Sequence, residues 1–236
     1  MASQIKSHNS KWLAVLIRHG DYHQLADTPS AHQPFALNNK GRQQAIDCVE
    51  RIRQMLDELQ CQLSPLIHSS NLLRAWQTAS IIKQGFAETT EIKGFDELAE
   101  RGLGSAANLT VSQIEKVLQE DPRFENPPAD WKSNSHYCLP LQGAESLMDA
   151  GKRVASHIAE TCAQAGKLEQ DTAQVFVGHG AAIRHAAYHL GVLEFEQIKK
   201  LSMYHATPVV IAFENNQWHQ LAGQWKVRRQ NTKELD

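Results

Sequence analysis

The sequence predicts an α/β fold, with one doubly wound, mostly parallel sheet and helices on both of its faces. The first observation is that short apolar runs of strand length alternate with longer segments of helical periodicity. The second is that the runs Trp12–Ile17 and Ala173–Val177 are largely apolar, which is typical of strands buried on both faces. We expect residues 1–236 to form one domain, with a flexible polar segment at residues 1–11.

Six segments have the length and composition of strands. The first strand ends abruptly at Arg18-His19-Gly20, and the last two flank Asn215-Asn216, a pair that favours a turn. In chain order, the predicted strands are Trp12–Ile17, Pro65–His68, Glu88–Ile92, Ala173–Val177, Thr207–Phe213 and Trp218–Leu221.

Five segments place their apolar residues at helical spacing. Asn38 or Asn39 is a suitable cap for the first helix, and Ser69 or Ser70 for the second, because short polar side chains accept bonds from free backbone N–H groups. The predicted helices are Lys40–Gln60, a segment from the two serines to about Lys83, Val111–Gln119, Gly143–Ala165 and Ala181–Leu190.

Two polar segments are less regular. Asp21–Leu37 contains two prolines and predicts a long loop. Gly104–Leu141 holds one helical pattern followed by a proline-rich stretch at Asp121–Trp131. We expect residues 104–141 to form an insertion over the edge of the sheet that carries the active site.

The predicted topology places two histidines at one edge of the sheet. In parallel sheets, ligands bind beyond the carboxyl ends of the strands. His19 and His179 each follow a predicted strand by one or two residues. We therefore expect both side chains to lie at the same ligand-binding edge.

Composition and charge bear on the protein's partners and location. Lys and Arg number 24 against 26 Asp and Glu, so we expect no broad basic surface and no nucleic-acid partner. No run approaches the length of a membrane span, so we expect no membrane association. The four cysteines form no C-x-x-C pair and no apolar signal segment precedes Trp12, which favours reduced thiols in a cytoplasmic protein.

Arg18-His19-Gly20 has the chemistry of a nucleophile that attacks an anion. A neutral imidazole is a competent nucleophile near pH 7, and a neighbouring guanidinium favours the unprotonated form. The alternative is a histidine that bonds only to local backbone, and the tripeptide alone does not decide between them.

Arg74 lies near the start of the second predicted helix, where anions are already favoured. Its planar guanidinium can bind two phosphate oxygens at once, which lysine cannot do. A solvated surface arginine is the alternative.

Gly178-His179-Gly180 lets the backbone approach a ligand closely, because neither glycine carries a side chain. His185 and His189 follow at i, i+4 spacing, but no carboxylate or cysteine completes a metal site, and we interpret them as helix-surface histidines. Three further histidines have no assignable partner and are interpreted as structural: His68, His136 and His205.

Glu97 and Glu100 are the candidate general acids. A carboxylic acid beside a phosphate can be protonated and donate its proton to a leaving oxygen. Either residue suits this role, and a solvent-exposed carboxylate is the alternative for each.

Each motif alone is a weak signal, but the whole set in this order along the chain is specific for one family. The chain resembles the histidine phosphatase superfamily, also called the phosphoglycerate mutase-like family, from about Leu13 to Phe213. The resemblance rests on Arg18-His19-Gly20, the Ser-x-x-x-Arg-Ala-x-x-Thr-Ala pattern at Ser70–Ala79, Gly178-His179-Gly180, Glu100-Arg101-x-x-Gly104 and Gly143-Ala-Glu145-Ser146-Leu.

The resemblance implies that His19 is the nucleophile and becomes phosphohistidine. It implies that Arg18, Arg74 and His179 bind the phosphoryl group and that His179 is also a catalytic residue. It further implies that Glu100 is the general acid and base. It also implies a single doubly wound domain that needs no metal or other cofactor.

Departures from the family pattern favour hydrolysis over mutase activity. Tyr22 stands where mutases carry a serine, and Pro122-Arg123-Phe124 only partly resembles their paired arginines. Residues 105–108 lack the tryptophan-glutamate-glycine that many family phosphatases carry after the acid, a departure that concerns the placement of Glu100 and not the choice between hydrolysis and mutase activity. We expect a phosphatase acting on a phosphorylated small molecule or a phosphoprotein; a mutase and a non-catalytic phosphate-binding module are the alternatives. The sequence does not define the substrate or the oligomeric state.

Overall fold

The computed structural model describes residues 10–166 and 168–228. Residues 1–9 of the segment predicted to be flexible therefore lie outside the described residues. The strands are, in chain order, β1 (Trp12–Arg18), β2 (Gln62–Ser70), β3 (Glu91–Phe95), β4 (Thr172–Gly178), β5 (Leu201–Ser202), β6 (Val209–Glu214), β7 (Gln217–Ala222) and β8 (Lys226–Val227).

Six strands form one sheet in the order β3-β2-β4-β1-β6-β7. The strands β3, β2, β4 and β1 are parallel, and β6 and β7 continue the sheet in antiparallel fashion. The remaining two strands, β5 and β8, form a separate antiparallel pair. The predicted α/β class and mostly parallel sheet are confirmed.

The helices fall between the strands, as the alternating pattern predicts. They are α1 (Asn39–Leu59), α2 (Leu73–Gln84), α3 (Val111–Glu120), α4 (Leu147–Gln164), α5 (Gly180–His189) and α6 (Phe195–Lys200). Asn38 caps α1 by accepting a hydrogen bond from the backbone N–H of Gly41, so one of the two predicted caps is confirmed. No helix in the described part of the chain has the length and apolarity needed to cross a bilayer.

Apolar side chains on both faces of β1 explain the doubly wound arrangement. Leu13, Val15 and Ile17 are buried in a cluster with α1 and α2, whereas Ala14 and Leu16 are buried with α4 and α5. Successive side chains of a strand point to opposite faces, so a fully apolar strand needs helices on both. The helices therefore hold the central strands, and with them the end of β1, in place.

The second helix begins later than predicted. Ser69 and Ser70 are the last residues of β2, and the N-cap position of α2 is Leu72, so the predicted serine cap is wrong. Ser70 instead accepts a hydrogen bond from the backbone N–H of Leu72 and contacts a histidine described below. The strand predicted at Glu88–Ile92 begins only at Glu91, because a turn precedes it.

The insertion at residues 104–141 contains α3 and contributes most of a small apolar cluster. Trp131, Leu103 and Ile114 are buried in this cluster, together with Ala31 from the loop that follows β1. The backbone N–H of Val111 also bonds to the carbonyl of a residue in that loop. The insertion thus packs against the loop that covers the carboxyl end of β1.

Candidate active site

The two central strands bring His19 and His179 together. Arg18 pairs with Gly178 in the parallel register of β1 and β4, and the backbone N–H of His19 bonds to the Gly178 carbonyl at 3.0 Å. The centroids of the two imidazole rings are 5.0 Å apart, and both rings are buried. Both histidines therefore lie at the edge of the sheet where the topology placed them.

The contacts of His19 define its tautomer. Its Nδ1 atom lies 2.7 Å from the carbonyl oxygen of Gly20, which can only accept a hydrogen bond, so Nδ1 carries the proton. The Nε2 atom accepts a hydrogen bond from Nε of Arg74 at 3.1 Å. The lone pair that can act as a nucleophile is therefore on Nε2.

Gly20 permits this geometry because a side chain there would collide with the carbonyl oxygen of Gly41. The Gly20 N–H donates to Oγ1 of Thr78 at 3.0 Å, and the same hydroxyl donates to the Arg74 carbonyl. One threonine of α2 thus joins the turn after β1 to the first turn of α2.

Arg74 is fully buried and contacts both histidines. Besides the bond to His19, its Nη2 atom lies 3.2 Å from Nδ1 of His179. A guanidinium only donates, so Nδ1 of His179 accepts, and Nε2 of that ring carries the proton that is donated to Oγ of Ser70 at 3.0 Å. Arg74 therefore stands between the two rings, and Ser70 orients the second.

The buried environment keeps both imidazoles neutral. Burial, followed by the charge of Arg74, holds the pKa of His19 and of His179 well below the ordinary value of 6.5. A neutral His19 retains the nucleophilic lone pair at physiological pH.

Arg18 lies beside these groups at the end of β1. Its Nη1 atom donates to the carbonyl of Met203 at 3.2 Å, and its charge lowers the pKa of both imidazoles. A side chain at Gly180 would come within 3.0 Å of the Arg18 side chain. The glycine that opens α5 therefore leaves space for this arginine.

Glu100 and Glu97 occupy different environments. Glu100 is buried. Burial lowers the pKa of Arg74, and the negative charge of Glu100 partly offsets this effect, so the two groups are close enough to interact electrostatically. Glu97 is exposed and lines a groove of about 710 Å³ with His68 and His157 on another part of the surface. Of the two candidate acids, only Glu100 is buried beside the residues around His19.

The loop after β1 covers the cluster. Three backbone carbonyls of this loop accept hydrogen bonds from Arg74: Nη1 donates to Gln33 at 2.8 Å, and Nη2 donates to Ser30 at 3.2 Å and Ala31 at 2.7 Å. Beside Glu100 the remaining cavity is only about 10 Å³. His19 and Arg74 are 1% and 0% exposed, so the cluster is closed to solvent.

Two residues near His19 were not identified as site residues from the sequence. His205, interpreted as structural, places its ring centroid 5.6 Å from that of His19, and its Nδ1 donates to the His19 carbonyl at 2.8 Å. Burial, then the charge of Arg18, lowers the pKa of His205 to about 4. The ring of Tyr22 lies 5.3 Å from that of His19 and 4.6 Å from the Arg74 guanidinium carbon.

The interpretation of His185 as a helix-surface residue is wrong. It is buried, with Nδ1 bonded to the Ala181 carbonyl and Nε2 within 3.0 Å of Oγ of Ser135 in the insertion, which covers this face of α5. His189 is exposed and contacts the Met148 carbonyl. Within residues 10–166 and 168–228, no three His, Cys, Asp or Glu side chains are grouped as metal ligands.

The sequence matches one known family. The family model of the histidine phosphatase superfamily (branch 1) matches residues 14–225. The chain therefore belongs to this superfamily. A search of curated proteins finds no significant match.

Solved structures share the fold at low sequence identity. A mycobacterial glucosyl-3-phosphoglycerate phosphatase in complex with VO3 is 24% identical, with a TM-score of 0.64, and the match covers 91% of this chain and 97% of that one. A phosphoserine phosphatase variant from Entamoeba histolytica, in complex with phosphoserine, is 20% identical over 89% and 95% of the two chains, with a TM-score of 0.62. YhfR of Bacillus stearothermophilus is 19% identical over 89% and 95%, with a TM-score of 0.66.

Proposed function

We propose that the protein is a phosphohydrolase that removes the phosphoryl group of a phosphomonoester through a phosphohistidine on His19. The observation that carries this proposal is the position of Arg74. Its single buried guanidinium contacts both the unprotonated Nε2 of His19 and Nδ1 of His179. A nucleophile and cationic donors at one point are what transfer of a phosphoryl group requires.

In the first step, the Nε2 lone pair of His19 forms a bond to phosphorus while the bond from phosphorus to the ester oxygen breaks. Arg18 and Arg74 bind the terminal oxygens, and His179 binds them through Nδ1 when the ring proton is on that atom and the Ser70 hydroxyl donates to Nε2. Glu100, in its protonated form, gives its proton to the departing oxygen, which leaves as an alcohol.

In the second step, Glu100 accepts a proton from a water molecule whose oxygen attacks phosphorus. The bond from phosphorus to Nε2 of His19 breaks, its electron pair returns to the imidazole, and inorganic phosphate is released. Positioning and charge neutralisation supply most of the rate, because the protein forms only one covalent bond.

Hydrolysis is favoured over mutase activity by the insertion. Arg123 binds Asp121 two residues away, with Nη2 at 2.6 Å from Oδ2, and is exposed. It therefore forms a local ion pair at the surface. Tyr22 packs on Arg74 where mutases carry a serine.

A small phosphorylated metabolite is the proposed substrate class. Two solved structures of the same fold are named as phosphatases of glucosyl-3-phosphoglycerate and of phosphoserine, both small phosphomonoesters. We also propose a cytoplasmic location, because all four cysteines are free thiols: Cys48, Cys61, Cys138 and Cys162.

The test is phosphate release from a panel of small phosphomonoesters, with phosphopeptides as a second panel. We expect release by the wild type and its loss in His19→Ala. His189→Ala is the matched control, because His189 is an exposed histidine outside the site. Isomerisation of phosphoglycerate faster than phosphate release identifies a mutase instead. Phosphate binding without turnover of either panel identifies a binding module.

A further inference from the structure

The segment 22–37, called the strap below, occupies the position that a substrate's phosphoryl group needs. Its carbonyls at Ser30, Ala31 and Gln33 take hydrogen bonds from both Nη atoms of Arg74, and its Tyr22 ring stacks on the same guanidinium. A phosphoryl group cannot accept the N–H groups that are bonded to these carbonyls while the strap does.

The nucleophile is blocked in the same arrangement. The Nε–H of Arg74 is directed at Nε2 of His19, so the lone pair proposed to attack phosphorus already accepts a hydrogen bond. Arg74 keeps this orientation because the strap holds its other end. While the strap is bound to Arg74, both the N–H donors proposed to bind phosphate and the nucleophile are therefore occupied.

The strap is held at its base and at its centre. Its two ends are paired, with a bridge between Tyr22 and Leu37, and Leu37 donates to the side chain of Gln77 in α2. Its centre is held by the buried side chain of Gln33, which accepts from the Leu25 N–H at 3.0 Å and donates to the Pro29 carbonyl at 2.8 Å. The base is fixed to a helix.

The centre is held by Arg74, by the strap itself and by contacts outside it. The Asp27 carbonyl accepts from the Val111 N–H at 2.9 Å, and the His32 ring lies 3.1 Å from the Glu100 carbonyl. Opening of the strap therefore also breaks these contacts.

We propose that the strap is an autoinhibitory element that a phosphoryl group displaces by exchanging its own oxygens for the three strap carbonyls. This inference rests on the proposed function. A terminal phosphoryl group carries three non-bridging oxygens, and charged oxygens bind a guanidinium more strongly than neutral carbonyls do. Displacement releases the lone pair of His19, so binding of the phosphoryl group and exposure of the nucleophile are coupled.

The kinetic test loosens the strap without changing residues around His19. Gln33→Ala removes the side chain that holds the centre, and Ser30→Ala removes the hydroxyl bonded to the Tyr22 hydroxyl at 2.9 Å. The loss of about one net hydrogen bond should raise kcat/KM for a phosphomonoester about two- to ten-fold, because the open fraction rises. His23→Ala, an exposed strap residue, is the control and should leave kcat/KM unchanged.

The structural test uses inorganic phosphate as the probe. Hydrogen exchange of peptides from residues 22–37 should become faster with saturating phosphate, while peptides from α2 stay protected. Two results overturn the strap proposal alone: lower kcat/KM in both folded variants, or slower exchange of the strap in an active enzyme that has bound phosphate. A wild type that neither binds phosphate nor hydrolyses phosphomonoesters overturns this proposal and the proposed function together.

Discussion

The Nε–H of Arg74 is directed at Nε2 of His19, across a distance of 3.1 Å, inside a site that excludes solvent. Because Nδ1 of His19 is held by the Gly20 carbonyl, the contact with Arg74 engages the only free lone pair of the ring. The same atom is thus the proposed nucleophile and the acceptor for the proposed phosphate-binding arginine.

Replacing Arg74 tests whether binding of the phosphoryl group requires a planar cation that donates several hydrogen bonds. Arg74→Lys keeps the charge but cannot bind two phosphate oxygens at once, so we expect kcat/KM to fall about 10²-fold. Steady-state phosphate release is the measurement. Arg123→Lys is the matched control, since Arg123 is exposed, and a loss of similar size in that variant would contradict the assignment.

Ser70 is predicted to position His179. Ser70→Ala removes the acceptor for its Nε2–H, so we expect kcat to fall about ten-fold while the fold is retained. Ser70→Thr keeps the hydroxyl and should restore most of the activity. Ser69→Ala is the control, because the Ser69 hydroxyl bonds to a backbone carbonyl instead. Equal losses in Ser69→Ala and Ser70→Ala would indicate a purely structural effect.

Glu100 is predicted to be the proton donor. With substrates whose leaving group is an alkoxide that must be protonated to depart, Glu100→Gln should lower kcat/KM about 10²- to 10³-fold. With p-nitrophenyl phosphate the loss should be much smaller, since that leaving group departs without a proton. Glu97→Gln is the matched control and should behave as wild type. The prediction is wrong if Glu97→Gln shows the leaving-group dependence and Glu100→Gln does not.

Buried histidines predict how stability changes with pH. Burial holds the pKa of His19 and His179 well below 6.5 and lowers that of His68 to about 4 and that of His185 to about 3. In the unfolded chain these rings take protons near pH 6.5, so the unfolded state binds more protons as the pH falls. The free energy of unfolding should therefore decrease below about pH 6.5, before the carboxylates contribute.

Thermal unfolding between about pH 7 and about pH 5 measures this effect. His68→Phe keeps an aromatic ring beside Phe95 but removes one of the titrating groups, so the decrease in Tm should be shallower. A Tm that stays constant over this range would contradict the prediction.

The sequence predicted the parts of the site that follow strands. His19 and His179 each follow an apolar run that is typical of a strand buried on both faces, and parallel strands share one carboxyl edge. Arg74 follows β2 by a few residues and reaches the same edge. Glu100, in contrast, is not separated from Glu97 by local pattern, because burial decides between them and neither residue lies in a periodic segment; only the family resemblance favours Glu100.

The remaining parts depend on long-range contacts that no local pattern encodes. His205 reaches His19 from the segment before β6, and Tyr22 reaches Arg74 through the fold of the strap. His185 has helical spacing that suggests an exposed face, but the insertion covers it. The strap carbonyls that bind Arg74 are backbone groups, so side-chain identity gave no signal for them.

The most direct test of the account is the site of phosphorylation in the acid-labile intermediate. The enzyme is quenched in alkali during turnover, and the phosphohistidine is located by mass spectrometry and by its phosphorus NMR signal. We expect one phosphoryl group on His19, attached to Nε2, because Nδ1 carries the proton bonded to Gly20. Attachment to Nδ1, or to any residue other than His19, would contradict the proposed mechanism.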